Sequence, residues 1–225
     1  MKNVLNQYKS LLETIDGWFA DCISASSPEI ACRRACTGCC RGLFDISLLD
    51  TRLLQYGFDS LAAPIRQKVL ARAKNRLASL QQQWPDFQHP YILNLLSHDD
   101  WQEMPEEDET PCPLLSDDGL CLVYAYRPMT CRLHGLPNID ISGESFSDKY
   151  CSLNFQGVDP LLKPELRWKF RETFRQEFDL LAQFSQELTG TPRLELDTFI
   201  PTALLIDFNS PEWLHLPAVK KNQDF

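Results

Sequence analysis

Residues 31–42 read Ala31-Cys32-Arg33-Arg34-Ala35-Cys36-Thr37-Gly38-Cys39-Cys40-Arg41-Gly42, four cysteines within nine residues with three arginines among them. Three architectures place thiols this densely: a disulfide knot, a redox dithiol on a thioredoxin-like fold, or a metal site. The surrounding chain decides between them. At 225 residues, with 44% apolar and 11% aromatic content, it can bury a core without covalent staples. The first 22 residues interleave polar and apolar side chains and never build the apolar run of a secretory leader. No apolar run elsewhere is long enough for a membrane span. The expectation is therefore a cytoplasmic protein, in which clustered cysteines serve metals or catalysis rather than bridges.

A formal net charge of -9 and a pI near 4.9 argue against a nucleic-acid partner or an anionic membrane surface, and leave a protein partner open. Against that acidic background, Arg33, Arg34, Arg41 and Arg132 lie within two residues of a cysteine, and Arg127 lies four from Cys131. Guanidinium groups beside thiols favour the thiolate, which is the metal-binding form.

Helical periodicity dominates outside the cysteines. Val4, Leu5, Tyr8, Leu11, Ile15 and Trp18 keep one face of an amphipathic helix, predicted over 3–23, and Cys22 continues that face as a core residue. Ser47 with Asp50 reads as the cap of a short helix that Gly57 ends. Leu61, Ile65, Val69, Ala73, Leu77 and Leu80 mark a longer helix stopped by Pro85. The acidic run Glu106, Glu107, Asp108, Glu109 reads as a solvated loop. Asp117, Asp118 and Gly119 make the turn of a small hairpin. Pro164 opens a last helix, 164–189, whose stripe of Phe170, Phe174, Phe178, Leu181, Phe184 and Leu188 is core packing. The segment from Leu194 to Phe208 supplies a strand or docking piece. With no repeat and no linker, the reading is one mainly α domain, 1–225, wrapped around a cysteine-rich core at 32–151 with short irregular strands.

Apart from Cys22, the cysteines are Cys32, Cys36, Cys39, Cys40, Cys112, Cys121, Cys131 and Cys151, which is two sets of four. Four thiolates suit a closed zinc site or an iron-sulfur cluster, and spacing does not choose between them. Cys36-Thr37-Gly38-Cys39 has the thioredoxin spacing without the alternating strands and helices. Cys32-x3-Cys36-x2-Cys39 has the literal spacing of the radical S-adenosylmethionine fingerprint, again without repeated strand-helix units, and it leaves Cys40 unexplained. Adjacent residues of an extended backbone face opposite ways, so Cys39 and Cys40 are expected to serve different centres, or one to ligate while the other packs. A site joining Cys40 to Cys112 closes a loop over the 71 residues between them, linking metal binding to folding. His134, three residues after Cys131, reads as an ordinary hydrogen-bonded side chain, and His89, His98 and His215 are scattered. No nucleophile-base pair or phosphate loop stands out.

Four pieces occur in order: Cys36-Thr37-Gly38-Cys39-Cys40-Arg41, Cys112-Pro113-Leu114-Leu115, Asp118-Gly119-Leu120-Cys121-Leu122-Val123-Tyr124 and Arg127-Pro128-Met129-Thr130-Cys131-Arg132. Together they resemble the CxxCxxCC family of zinc- or iron-chelating cysteine clusters, often called YkgJ-like. The resemblance spans Cys32 to Cys151 and implies that all eight cysteines ligate metal. It departs from the family name in one interval, three residues rather than two between Cys32 and Cys36. The family includes relatives of flagellin lysine methylase, which implies a metal-dependent protein methyltransferase as one alternative. A structural zinc scaffold that presents an acidic surface to a protein partner is another.

Overall fold

The computed structural model describes residues 1–33, 35–96 and 108–217; Arg34, His98, Glu106 and Glu107 lie outside the described residues. The opening helix α1 runs Lys2–Ala25, and its predicted face, Cys22 included, is buried. Cys22 is 1% exposed, so it is a packing residue. Among the described residues the architecture is mainly α, with short strands in two small two-stranded sheets.

After the cysteine cluster, β1 (Asp45–Ser47) leads directly into α2 (Leu48–Asp59), and the Ser47 side chain accepts from the Asp50 backbone N at 3.3 Å, the cap read from the sequence. Gly57 does not end this helix. It lies inside α2 because the Tyr126 ring presses on it: an added Cβ would stand 2.6 Å from that ring. Close approach, rather than a stop signal, explains the glycine. Helix α3 (Ala63–Gln83) follows, with Val69, Ala73, Leu77 and Leu80 inward, while Ile65 is exposed. Of the predicted solvated run, Asp108 and Glu109 are described, and Glu109 is exposed. Asp108 pairs with Arg76 of α3 with little exposure, drawing that loop onto the helix.

Helix α4 (Met129–Leu133) is short, and β2 (Asn138–Ile139) pairs with β3 (Ser145–Ser147). The last long helix, α5, runs Phe170–Thr189 rather than starting at Pro164. Pro164–Leu166 form a single tight turn, and Trp168 is then held by Asp140: its N donates to Ile139 O at 3.0 Å and its O accepts from Ile141 N at 2.9 Å. Those backbone bonds occupy the groups a helical start would need. Phe178 leaves the predicted core stripe and is 47% exposed, for a reason that the cavity described below supplies. Gly190 caps α5 in the left-handed conformation. The apolar tail supplies β4 (Asp197–Phe199), antiparallel to β1 with Ile46 opposite Thr198, and the short α6 (Ile200–Ala203).

The largest cluster of buried side chains joins α1, α2 and α5. Trp18 stacks on Trp168, meets Phe170 edge-on, and donates from Nε1 to Leu166 O at 3.1 Å. A second cluster packs α2, α3 and α6 around Leu54, Phe58, Val69 and Val123, and Cys112, Cys121 and Cys131 lie against it. Cys32 lies against the first cluster. The cysteine region is thus seated on two apolar surfaces that helices build without it.

Candidate metal centre

Two backbone pairings deliver the distant cysteines to the N-terminal ones. Arg41 bridges to Pro111, Gly42 N donates to Thr110 O at 3.0 Å, and Cys112 N donates to Cys40 O at 2.9 Å, so Cys40 and Cys112 become neighbours. The turn at Asp117–Gly119, with Gly119 at φ +74, then folds Cys121 back opposite Leu115. Helix α4 carries Cys131 to the same place.

The second pairing is separate. Cys151 N donates to Gly135 O at 3.2 Å and Phe155 N donates to Glu29 O at 2.8 Å. Asn154, which the sequence reading passed over, ties the pieces together. Its Nδ2 donates to Gly135 O at 2.7 Å and, at 3.5 Å, to Cys32 Sγ, while its Oδ1 accepts from Ala31 N at 2.9 Å. Gly135 has φ +112, and a Cβ there would stand 3.3 Å from Cys32 Sγ. Gly135 stands just past the end of α4 and two residues before Pro137, which were the available signals, but the partner thiol lies 103 residues away and sequence does not show it.

The thiols consequently sort into two neighbourhoods. Cys40 feels the charges of Cys112, Cys121 and Cys131, and Cys131 feels Cys112 and Cys121 in turn, and Cys39 as well. Cys32 feels Cys151, Cys36 and Cys39. Cys39 is the link, because its thiol is hydrogen-bonded to Cys40. The backbone at Cys39 and Cys40 is not the extended one on which the expectation that they face opposite ways rests. Cys40 N donates to Thr37 O at 3.0 Å, closing a turn across Gly38 and Cys39.

The electrostatics are those of thiols waiting for a counter-charge. The hydrogen bond to Cys40, and then burial, hold the Cys39 proton tightly, whereas the same bond lowers Cys40 below the ordinary thiol range. Burial pushes Cys112 up to about 11 and raises Cys32, Cys121 and Cys131. Burial penalises the charged form, so these thiols release protons only to something that replaces the lost charge. Of the arginines, Arg127 supplies part of it, lowering Cys39 and Cys121. Arg127 is itself held by Asp16 at 2.9 Å and by the Tyr124 ring at 4.2 Å. Arg132 does something else. It is buried, pairs with Asp16, and donates to the Ala125 and Arg127 carbonyls, so it staples α1 to the cysteine loop. Arg41 donates to Glu109 O at 3.1 Å across the first pairing.

All nine cysteines are free thiols. Eight soft sulfur donors, partly buried and beside a fixed guanidinium, fit zinc or iron by donor chemistry. Among the described residues, no three His, Cys, Asp or Glu side chains stand in a closed ligand arrangement, so the thiols form neighbourhoods rather than finished shells. His134 joins neither group. Its ring meets Phe44 edge-on and burial lowers its pKa. His89 instead contacts Glu212 at 2.5 Å, far along the chain from any cysteine.

Beside the cysteines lies a cavity of about 490 Å3. Its walls include Met129, Thr130, Leu133, His134, Gly135 and Leu136, but not Cys131 or Arg132 between them, together with Asp50, Glu177 and Asp197. Among the described residues, no helix is long and apolar enough to cross a membrane. No curated protein and no solved structure matches the chain. Residues 31–152, rather more than half of the chain, match the CxxCxxCC model, described as a "putative zinc- or iron-chelating domain", and the chain belongs to that family.

Proposed function

We propose that this chain is a cysteine-ligated zinc or iron-sulfur protein with two centres, one served by Cys40, Cys112, Cys121 and Cys131, the other by Cys32, Cys36, Cys39 and Cys151. The observation that supports the reading is a pair of independent backbone pairings, one bringing Cys112 to Cys40 and the other bringing Cys151 to Gly135 beside Cys32, with Cys39, which neighbours both groups, assigned to the second. Four thiolates are the ligand set of structural zinc and of iron-sulfur clusters alike. In the zinc case the centre supplies folding energy; in the iron-sulfur case it also carries electrons. This chain's residues contribute the fixed Arg127 guanidinium and the Asn154 donor to Cys32, both of which stabilise charge on sulfur.

A second reading, a metal-dependent enzyme, is favoured by the cavity whose wall includes Thr130, the chain neighbour of Cys131. A scaffold role needs no such cavity. The partition is tested with cobalt(II) added anaerobically to the reduced full chain, because thiolate-to-cobalt absorption counts sulfur ligands. Wild type is expected to saturate at about two ions per chain, and Cys36→Ala and Cys40→Ala at about one each. Saturation of both variants at the wild-type value, or no thiolate-to-cobalt absorption at all, contradicts the two-centre assignment.

A further inference from the structure

We propose that the cavity between α2, α4 and α5 binds an organic cation, a primary ammonium group carried on an apolar stem.

The inner end of the cavity is rich in acceptors. Asp50 is 3% exposed, and its Oδ1 accepts both from Tyr8 OH at 2.9 Å and from Met129 N at 3.0 Å. Glu177 Oε1 is 3.1 Å from that same hydroxyl. One hydroxyl carries one hydrogen, so Tyr8 cannot satisfy two carboxylates together. Asp197 accepts from Asn94 Nδ2 at 3.0 Å. None of Asp50, Glu177 and Asp197 has an ion-pair partner among the described residues. Asn138, also on the wall, has a side-chain oxygen that is shielded from solvent and without a hydrogen-bond partner among the described residues. The lining holds five carboxylate residues, Asp45, Asp50, Glu177, Glu195 and Asp197, against the single cation Lys149, which is exposed.

The rest of the wall is apolar. Phe44, Met129, Leu133, Phe174 and Leu181 line it, and at the margin Phe178, Tyr150 and Leu194 are 47%, 40% and 58% exposed. Large side chains left in water around a cavity mark a surface that a ligand covers. This accounts for Phe178 leaving the core stripe of α5. Anions are excluded by the carboxylates. A neutral apolar molecule leaves the carboxyl groups unsatisfied. An alkylammonium supplies three donors and a positive charge at the inner end, and a stem for the aromatic margin. Burial raises Asp50 to about 7, although the Arg132 charge pulls it the other way, and raises Glu177 to about 8.

The proposal does not depend on the metal reading, and calorimetry on the purified full chain separates the two when metal content is measured on the same samples. Hexylamine is expected to bind, with hexan-1-ol and hexanoate weaker by about tenfold or more. Glu177→Gln is expected to weaken hexylamine about tenfold, and Phe178→Ala to weaken it several-fold, both at unchanged metal content. Glutamine keeps the shape of a glutamate that burial already disposes to neutrality, and Phe178 is exposed, so neither variant threatens the fold. Two further arms identify the source of the amine. Tighter binding of 1,5-diaminopentane points to a free amine, and tighter binding of a capped Gly-Lys-Gly peptide to a lysyl side chain of a protein; either supports the site. Equal binding of hexan-1-ol, unchanged binding to Glu177→Gln, displacement of hexylamine by magnesium at equal concentration, or no binding of any amine overturns it.

Discussion

Cys131→Ala is expected to release metal and to lower the thermal midpoint by about 10 °C, whereas Cys22→Ala keeps its metal and loses about 1 kcal/mol. The contrast follows from where the two thiols sit. Cys22 is enclosed by packing among Trp18, Leu166 and their neighbours, its pKa is raised by burial to about 12, and its sulfur hydrogen-bonds the Glu165 carbonyl at 3.8 Å. Removing that sulfur leaves a small cavity. Cys131 is on a helix of five residues that cannot hold itself, in a segment with Cys112 and Cys121 beside it. Its loss therefore acts through metal linkage, several kcal/mol that packing does not replace. Cys39→Ala is expected to behave as Cys131→Ala does. Metal analysis and thermal unfolding of the three variants, prepared side by side without oxygen, make the check; equal metal loss in all three contradicts the assignment.

Gly135→Ala is the second large effect expected. An L-residue at φ +112 is strained, and the new methyl would lie 3.3 Å from Cys32 Sγ and 4.0 Å from the Cys151 Cβ. The strain costs on the order of 1–3 kcal/mol. The crowding falls on the second thiol group alone. This variant is therefore expected to lose the metal of the Cys32 group while the Cys40 group keeps its own. Gly143→Ala is the control. It has φ +89 with nothing within 4 Å of the added Cβ, so it carries backbone strain without touching a thiol. Loss of half the metal in Gly135→Ala and full metal in Gly143→Ala is the expected pattern; equal metal content in the two contradicts a role for Gly135 in seating Cys32.

Where a segment's own pattern decided its structure, the sequence was a good guide. The α1 face from Val4 to Trp18 repeats at helical spacing and is buried as that spacing requires, and Ser47 caps α2 through a bond three residues long. Local signals misled where a distant partner held the residue. Gly57 reads as a helix stop because nothing near it in sequence announces the Tyr126 ring. Pro164 reads as a helix start because the claim of Ile139 and Ile141 on Trp168 is equally invisible. The pairing of β1 with β4 joins residues about 150 apart, in strands too short to show alternation.

The site divides the same way. Which residue types would carry chemistry was plain from eight cysteines. Their sorting was not, because it depends on Cys112 reaching Cys40 and on Asn154 spanning Ala31 and Gly135. Asp50 is legible as a cap residue but not as the floor of a cavity, since Tyr8 and Glu177 come from helices at opposite ends of the chain. Side-chain type is a property of the sequence, whereas a shared cavity is a property of the packing.

Elemental analysis of the full chain, purified without oxygen, tests the central claim most directly. Two cysteine groups predict stoichiometric metal: about two zinc ions per chain, or iron accompanied by acid-labile sulfide. Protein that folds and carries neither zinc nor iron would contradict it.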